Sequence, residues 1–382
     1  MAGIYVHVPF CSQRCVYCDF YFVTTTKSYG PYLKALELEM RHVALHYSSL
    51  EPIDTIYIGG GTPSVLSASE LSGVIATIHE LFDTSSVTEV TLELNPEDFD
   101  EQYLRDLRSV GVNRLSIGVQ SFFQSDLEFM NRSHNSEDAH AVVEGVRRAG
   151  FDNFSIDLIF GLPNQPEEYW AANLEKTIRL GIPHVSTYSL TIEEKTVLHK
   201  QVQLGNVTPE LDEVVADRFR FTMSFLRDAG YEHYEVSSFA LPGSRAIHNQ
   251  LYWDHRNYLG FGPSAFSFWW KGLPALRWDN IRNVRRYQGL LEGRHRPVST
   301  SEELDLDTLA NEYIMLRLRT SEGLDLDHLE DQYGIDLYDE RVEDLAWLES
   351  EGLIHPIRRD LVRLTDEGMI FADMVTTKLM LG

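Results

Sequence analysis

Tyr5-Val6-His7-Val8-Pro9-Phe10-Cys11-Ser12-Gln13-Arg14-Cys15-Val16-Tyr17-Cys18-Asp19-Phe20 is the stretch on which the reading of this chain turns. Ile4–Val8 is apolar and rich in β-branched residues, so it reads as a strand. The loop that leaves it holds all three cysteines of the 382-residue chain, within Cys11–Cys18. An odd number of thiols with no distant partner cannot build a disulfide framework. In the pattern Cys-x3-Cys-x2-Cys, three thiolates on a tight loop can converge on three corners of an iron–sulfur cubane and leave one iron open to an exchangeable ligand. Zinc held by the same cysteines with His7 as fourth ligand is the competing reading, and spacing alone leaves both standing.

Downstream, short runs rich in Val, Ile and Thr alternate with segments whose apolar residues recur three and four apart. Strands are expected near Thr55–Ile58, Val87–Leu94, Arg114–Val119, Asn153–Ile159 and His184–Tyr188. Helices are expected over Pro31–Leu45, Ala68–Leu81, Glu101–Val110, Ser136–Ala149 and Glu167–Leu180, three of them followed by Gly111, Gly150 and Gly181, where a left-handed residue closes a helix. A repeating strand–helix order implies a parallel sheet with right-handed crossovers. Six units are too few for a full eight-stranded barrel, so the expected fold is α/β, a partial (β/α)6 barrel over residues 1–230. A long helix, Glu210–Ala229, closes that region, and residues 231–300 read as an aromatic- and Gly-rich connecting segment. Residues 301–382 read as a smaller, mainly helical domain: helices Glu302–Arg319, Asp325–Tyr333 and Asp339–Glu351, then Leu353–Pro356, the turn Arg358–Asp360, Leu361–Leu364 and a last helix. That order is winged-helix-like.

Composition bounds the partners. The formal charge is −25, from 58 acidic and 33 basic residues, which repels nucleic-acid backbones and anionic lipid. Glu and Asp crowd the C-terminal domain as well, so a structural or lid role is expected there rather than DNA binding. No run approaches the roughly 18 apolar residues of a membrane span, and no basic region with a following apolar run opens the chain. A cytoplasmic protein is expected.

Polar residues gather where strands of a parallel barrel end, which is where such folds bind ligands. Strand two runs into Gly59-Gly60-Gly61-Thr62-Pro63. Strand three ends around Glu93, strand four at Gln120, strand five carries Asp157, and Arg132 follows strand four. Each alone is as readily a turn former or a loop-fixing hydrogen-bond partner. Their joint occurrence behind a three-cysteine loop is specific, and zinc explains none of it.

With these stretches the chain resembles the branch of the radical S-adenosylmethionine (SAM) family that contains the oxygen-independent coproporphyrinogen III dehydrogenases and the heme chaperones. The matching segments are Tyr5–Cys11, Gly59–Pro63, Gly118–Phe122 and Asp157–Pro163, with Tyr258–Gly262 and the C-terminal domain similar in kind. The resemblance implies a [4Fe-4S] cluster on Cys11, Cys15 and Cys18. It also implies SAM on the open iron and SAM contacts at Tyr5, Gly60, Gly61, Thr62, Glu93, Gln120, Arg132 and Asp157. The family's chemistry is reductive cleavage of SAM to methionine and a 5'-deoxyadenosyl radical.

Two activities from different classes fit that branch. One is radical oxidative decarboxylation of coproporphyrinogen propionates; the other is binding of heme and its delivery to an acceptor protein. The dehydrogenases have a further cysteine two residues after the third, whereas here Cys18-Asp19-Phe20 follows the chaperone pattern. His248-Asn249-Gln250-Leu251-Tyr252-Trp253 matches the His-Asn-x-x-Tyr-Trp motif of the chaperones and implies His248 as a heme ligand, with His255 as a substitute. Heme and an acceptor are therefore the expected partners. Contact with a membrane-borne acceptor would be peripheral, and no basic amphipathic helix argues for it.

Overall fold

Ala2–Val8 (β1) is buried along almost its whole length, as a strand sandwiched between helices must be. In the computed structural model, which describes residues 1–24, 29–98, 100–358 and 360–382, it sits at the centre of a 12-stranded sheet. The strands Ile53–Gly60 (β2), Glu89–Leu94 (β3), Arg114–Gln120 (β4), Phe154–Phe160 (β5) and His184–Ser189 (β6) follow it in parallel order. The crossover helices Tyr29–Tyr47, Ala68–Leu81, Glu101–Ser109, Ser136–Arg148 and Glu167–Arg179 lie between them, and Asp212–Asp228 comes after β6. The expected partial (β/α)6 barrel is therefore present.

Helix starts agree with local chemistry. Ser67 and Glu70 form a reciprocal capping box, Asn135 and Asp138 form another, and Asp100 caps the helix at Glu101. Gly111, Gly150 and Gly181 all adopt positive φ behind their helices.

Residues 231–300 do more than connect. They supply Glu232–Glu235 (β7), Ser238–Ala240 (β8), Tyr258–Phe261 (β9), Phe266–Trp269 (β10), Ala275–Asn280 (β11) and the start of Val298–Leu304 (β12). β8 and β7 extend the sheet beyond β6, while β9 runs parallel to β1 and leads on to β10, β11 and β12. β9 and β10 run so close together that a Cβ at Gly260 would collide with the Phe266 carbonyl oxygen. Tyr231–Phe239 reads as extended in the sequence and covers β7 and most of β8, whereas β9–β11 are short and aromatic-rich, without the sustained alternation that marks a strand. One correction follows at residue 302: Glu302–Leu304 belongs to β12, paired with β11, and the helix starts only at Leu306 behind its Asp305 cap.

The C-terminal region has helices Leu306–Arg317, Leu326–Tyr333, Leu337–Glu340, Val342–Ser350, Asp366–Ile370 and Ala372–Leu379. A small antiparallel ribbon, Leu324–Asp325 (β13) with Leu361–Val362 (β14), is prolonged by an Ile354–Leu364 bridge, which gives the expected wing. Of the expected turn Arg358–Asp360, Arg359 lies outside the described residues. Arg220 with Glu367, Arg227 with Asp366 and Arg317 with Asp254 tie this region to the barrel. Among the described residues no helix is long and apolar enough to cross a membrane.

Candidate functional site

The carboxyl ends of the parallel strands surround a cavity of about 610 Å³. Cys11, Cys15 and Cys18 all line it, and so do Gly60, Gly61, Thr62, Glu93, Gln120, Arg132 and Asp157. The sequence-predicted set is thus brought together, with two exceptions described below.

Close approach explains the glycine run. A Cβ on Gly61 would lie 2.7 Å from the Phe10 carbonyl oxygen and 3.0 Å from Cys11 Sγ, and one on Gly60 would lie 2.7 Å from His7 Nδ1. Any side chain there would push the cysteine loop off the end of β2. The Gly61 N–H donates to the Val8 carbonyl at 2.8 Å, which locks the two strand ends together. Backbone and cysteine loop are one unit.

Glu93 stands beside this unit. Tyr57 donates its hydroxyl to Oε1 at 2.8 Å and the Gly60 N–H donates to Oε2 at 2.9 Å. Burial outweighs both bonds and pushes the carboxyl up to about 7, with Asp157 adding repulsion. Asp157 is likewise raised to about 6 by burial, against the pull of Arg114 and a Ser186 hydroxyl. Two half-buried carboxyls with raised pKa values make an environment that rewards a cationic ligand.

Gln120 ends β4 at φ 66°, a left-handed backbone conformation that a residue with a long side chain adopts at a cost. Arg132 lies in the turn after the short helix Gln124–Phe129. Its Nη1 donates to Cys15 Sγ at 3.2 Å, and its Nη2 to Asn95 Oδ1 at 2.7 Å and the Gly118 carbonyl at 3.0 Å. The contact with Cys15 ties the cysteine loop to the segment that follows β4. Burial pushes the thiols of Cys11 and Cys18 up to about 12 and about 11, so as free thiols both keep their protons. Three thiols on one loop and facing one cavity would hold a cubane through three corners. Among the described residues no three His, Cys, Asp or Glu side chains stand together as ligands of a single metal ion.

Tyr5 is the first exception. It does not line the cavity; its hydroxyl is 3.1 Å from His7 Nδ1, and its ring stacks at 6.0 Å on Tyr57, which does. His7 has its other nitrogen 2.9 Å from the Tyr21 carbonyl oxygen. Both ring nitrogens are engaged, which removes His7 as a zinc ligand.

His248 is the second exception. It lies on the helix Ile247–Trp253, which packs against β1 and β2, and it is 1% exposed. Nδ1 is 2.7 Å from Thr55 Oγ1 and Nε2 is 2.8 Å from the Tyr252 hydroxyl. With both nitrogens taken, it has no lone pair free for an iron. Glu89 accepts the N–H groups of Ile247 and His248 at 3.0 and 2.9 Å and so caps this helix against the barrel. Of the motif, Asn249 alone reaches the cavity wall. His255 is no substitute, because its nitrogens meet the Tyr333 hydroxyl at 3.1 Å and Glu312 at 3.2 Å.

The sequence reading missed the inner wall: Arg114 and Ser116 on β4, Ser155 on β5, His184 and Ser186 on β6. Each occupies an inward position two residues from the next, so a period of two in polar residues within apolar strands was the available signal. Arg114 is 2% exposed and 3.9 Å from Glu89. Its Nε and His184 Nδ1 have no hydrogen-bond partner among the described residues.

Comparison with known proteins defines the relationship. The profile described as the Radical SAM superfamily matches residues 5–177, and that of the HemN C-terminal domain matches residues 304–371. The heme chaperone HemW of Lactococcus lactis subsp. lactis (strain IL1403) is 34% identical over 381 residues, 99% of this chain and 97% of its own. The heme chaperone HemW of Bacillus subtilis (strain 168) is also 34% identical over 381 residues, 98% of each chain. The solved structure of Escherichia coli coproporphyrinogen III oxidase (HemN), described as a radical SAM enzyme, superposes with a TM-score of 0.84 over 99% of this chain and 90% of that one. At 24% identity, that likeness speaks for the fold alone.

Proposed function

This chain belongs to the HemW family of radical SAM proteins, and we propose that it is a heme chaperone: it binds heme and transfers it to an acceptor protein. In this reading it carries a [4Fe-4S] cluster on Cys11, Cys15 and Cys18, with SAM exchangeable at the open iron. The observation that carries the reading is likeness along the whole chain, 34% over 99% and 98% of it, to relatives named as heme chaperones. Cys18-Asp19-Phe20, without a further cysteine, supports the chaperone over coproporphyrinogen III dehydrogenase. A cytoplasmic site of action goes with it, and a net charge of −25 argues against nucleic acid as the partner.

The cavity residues have separable tasks. The backbone at Gly60–Gly61 and the Thr62 hydroxyl would meet the amino-acid end of SAM, and the Glu93 carboxylate would receive its ammonium. Asp157 and Gln120 would bound the rest of the ligand, while Arg132 holds the Cys15 sulfur in place. A reduced cluster, when bound, supplies one electron to the sulfonium of SAM.

Two outcomes test this. Anaerobic titration with heme is expected to give a saturating Soret change, while coproporphyrinogen III supplied with SAM and reductant stays unconverted; turnover to protoporphyrinogen IX would return the chain to the dehydrogenases. SAM affinity of the reconstituted protein is expected to rise about tenfold as pH rises through about 7, because only the ionised Glu93 attracts an ammonium. Glu93→Gln should abolish that dependence, as measured by equilibrium dialysis. A wild-type affinity that ignores pH in this window removes Glu93 from the SAM site.

A further inference from the structure

A second cavity, of about 900 Å³, lies between the barrel and the wing. The barrel side contributes Arg227, Tyr231 and Arg245, and the wing side His355, Arg358 and Arg363. In a chain of net charge −25 this groove gathers four arginines, with Glu232 and Asp366 as the carboxylates on its wall.

The four are not equivalent. Arg227 donates to both oxygens of Asp366 at 3.0 and 2.6 Å, and Arg245 is paired with Glu232 and Glu322. Arg358 and Arg363 have no carboxylate partner among the described residues. Arg363 uses only Nε, on the Glu322 carbonyl at 3.2 Å, so both of its terminal nitrogens remain available.

His355 differs from the histidines of the sequence reading. The wing pairs Ile354 with Leu364, and the His355 N–H donates to the Arg363 carbonyl at 2.9 Å. His355 and Arg363 therefore lie across from each other and share a face of the ribbon, the face that lines the groove. His355 is exposed, and its imidazole makes no hydrogen bond to any described residue, whereas His7, His248 and His255 have both nitrogens engaged. Pro356, Leu361, Leu364 and Met369 supply apolar wall beside it.

A free imidazole, two unpaired guanidiniums and an apolar wall describe a flat apolar ligand that carries carboxylates and a metal. We propose that heme docks in the groove between barrel and wing, with its iron on His355 and its propionates on Arg358 and Arg363. This rests on heme being the cargo, and it moves the heme site from the His248 helix to the C-terminal domain. The cluster cavity stays free for SAM.

The test is a titration of the full-length protein with heme, followed by the Soret band, and with iron-free protoporphyrin IX, followed by fluorescence. Each variant is first checked for an unchanged thermal midpoint. Arg358→Glu with Arg363→Glu is expected to weaken both ligands by about tenfold to a hundredfold, the scale of charge-assisted hydrogen bonds. His355→Ala is expected to shift the Soret band of bound heme and weaken heme alone, leaving protoporphyrin binding at the wild-type level. If the wild type binds heme and all variants match it, the groove is not the site, while the chaperone reading stands. If the wild type binds no heme, both fall.

Discussion

Cys15→Ser is expected to abolish the broad visible absorption of anaerobically reconstituted protein and to lower its iron content from about four per chain to background. A cubane bound at three corners gives each of three irons one thiolate, so losing one sulfur leaves two irons without a protein ligand. Cys15 is the informative choice because it has a second support: the Arg132 guanidinium at 3.2 Å from its sulfur. Serine keeps the size but not the soft, easily ionised donor. Arg132 would then face a neutral hydroxyl, and the bonds of the Val16 N–H to the Met130 carbonyl and of the Asn131 amide to the Arg14 carbonyl keep the loop in place. Folding should therefore survive, which separates cluster loss from collapse; the far-ultraviolet spectrum and thermal midpoint check this. Stoichiometric zinc with no iron in the wild type would overturn the cluster assignment itself.

The second large effect concerns stability. His248→Ala should cost about 3–5 kcal/mol, because it strands the buried Thr55 hydroxyl and the half-buried Tyr252 hydroxyl and opens a void beside Tyr57. Denaturant unfolding measures it. Burial, and then Arg114, lower the His248 pKa to about 3, so the folded protein holds this ring neutral while the unfolded chain protonates it near 6.5. A depressed folded value means that the stabilisation is full above pH 6.5 and lost as pH falls towards about 3. The deficit of the variant should therefore shrink in acid. Heme bound per folded molecule should stay at the wild-type level. A variant with normal stability but no heme would restore His248 as an iron ligand.

The same histidine shows where sequence reading stops. His-Asn-x-x-Tyr-Trp was visible as a motif, and the four-residue spacing did bring His248 and Tyr252 together on one helix face. Nothing local said that Thr55, 193 positions away, would take the other nitrogen. Tyr5, expected from the family resemblance, stacks on Tyr57 of the neighbouring strand, and it is Tyr57 that lines the cavity.

What the sequence determined by itself was short in range: the cysteine loop, the glycines at the end of β2, the helix caps and the βα rhythm that makes the barrel. These depend on backbone conformation and on which face of an element is apolar, and a few consecutive residues encode both. The tertiary structure decided the rest. It joined β7–β12 to the two edges of the sheet, aligned Arg114 and His184 on the inner wall, and set His355 across from Arg363 in a groove. Those outcomes depend on which donors and acceptors are satisfied across the fold, and a hydrogen bond between distant residues leaves no periodic trace in the chain that makes it.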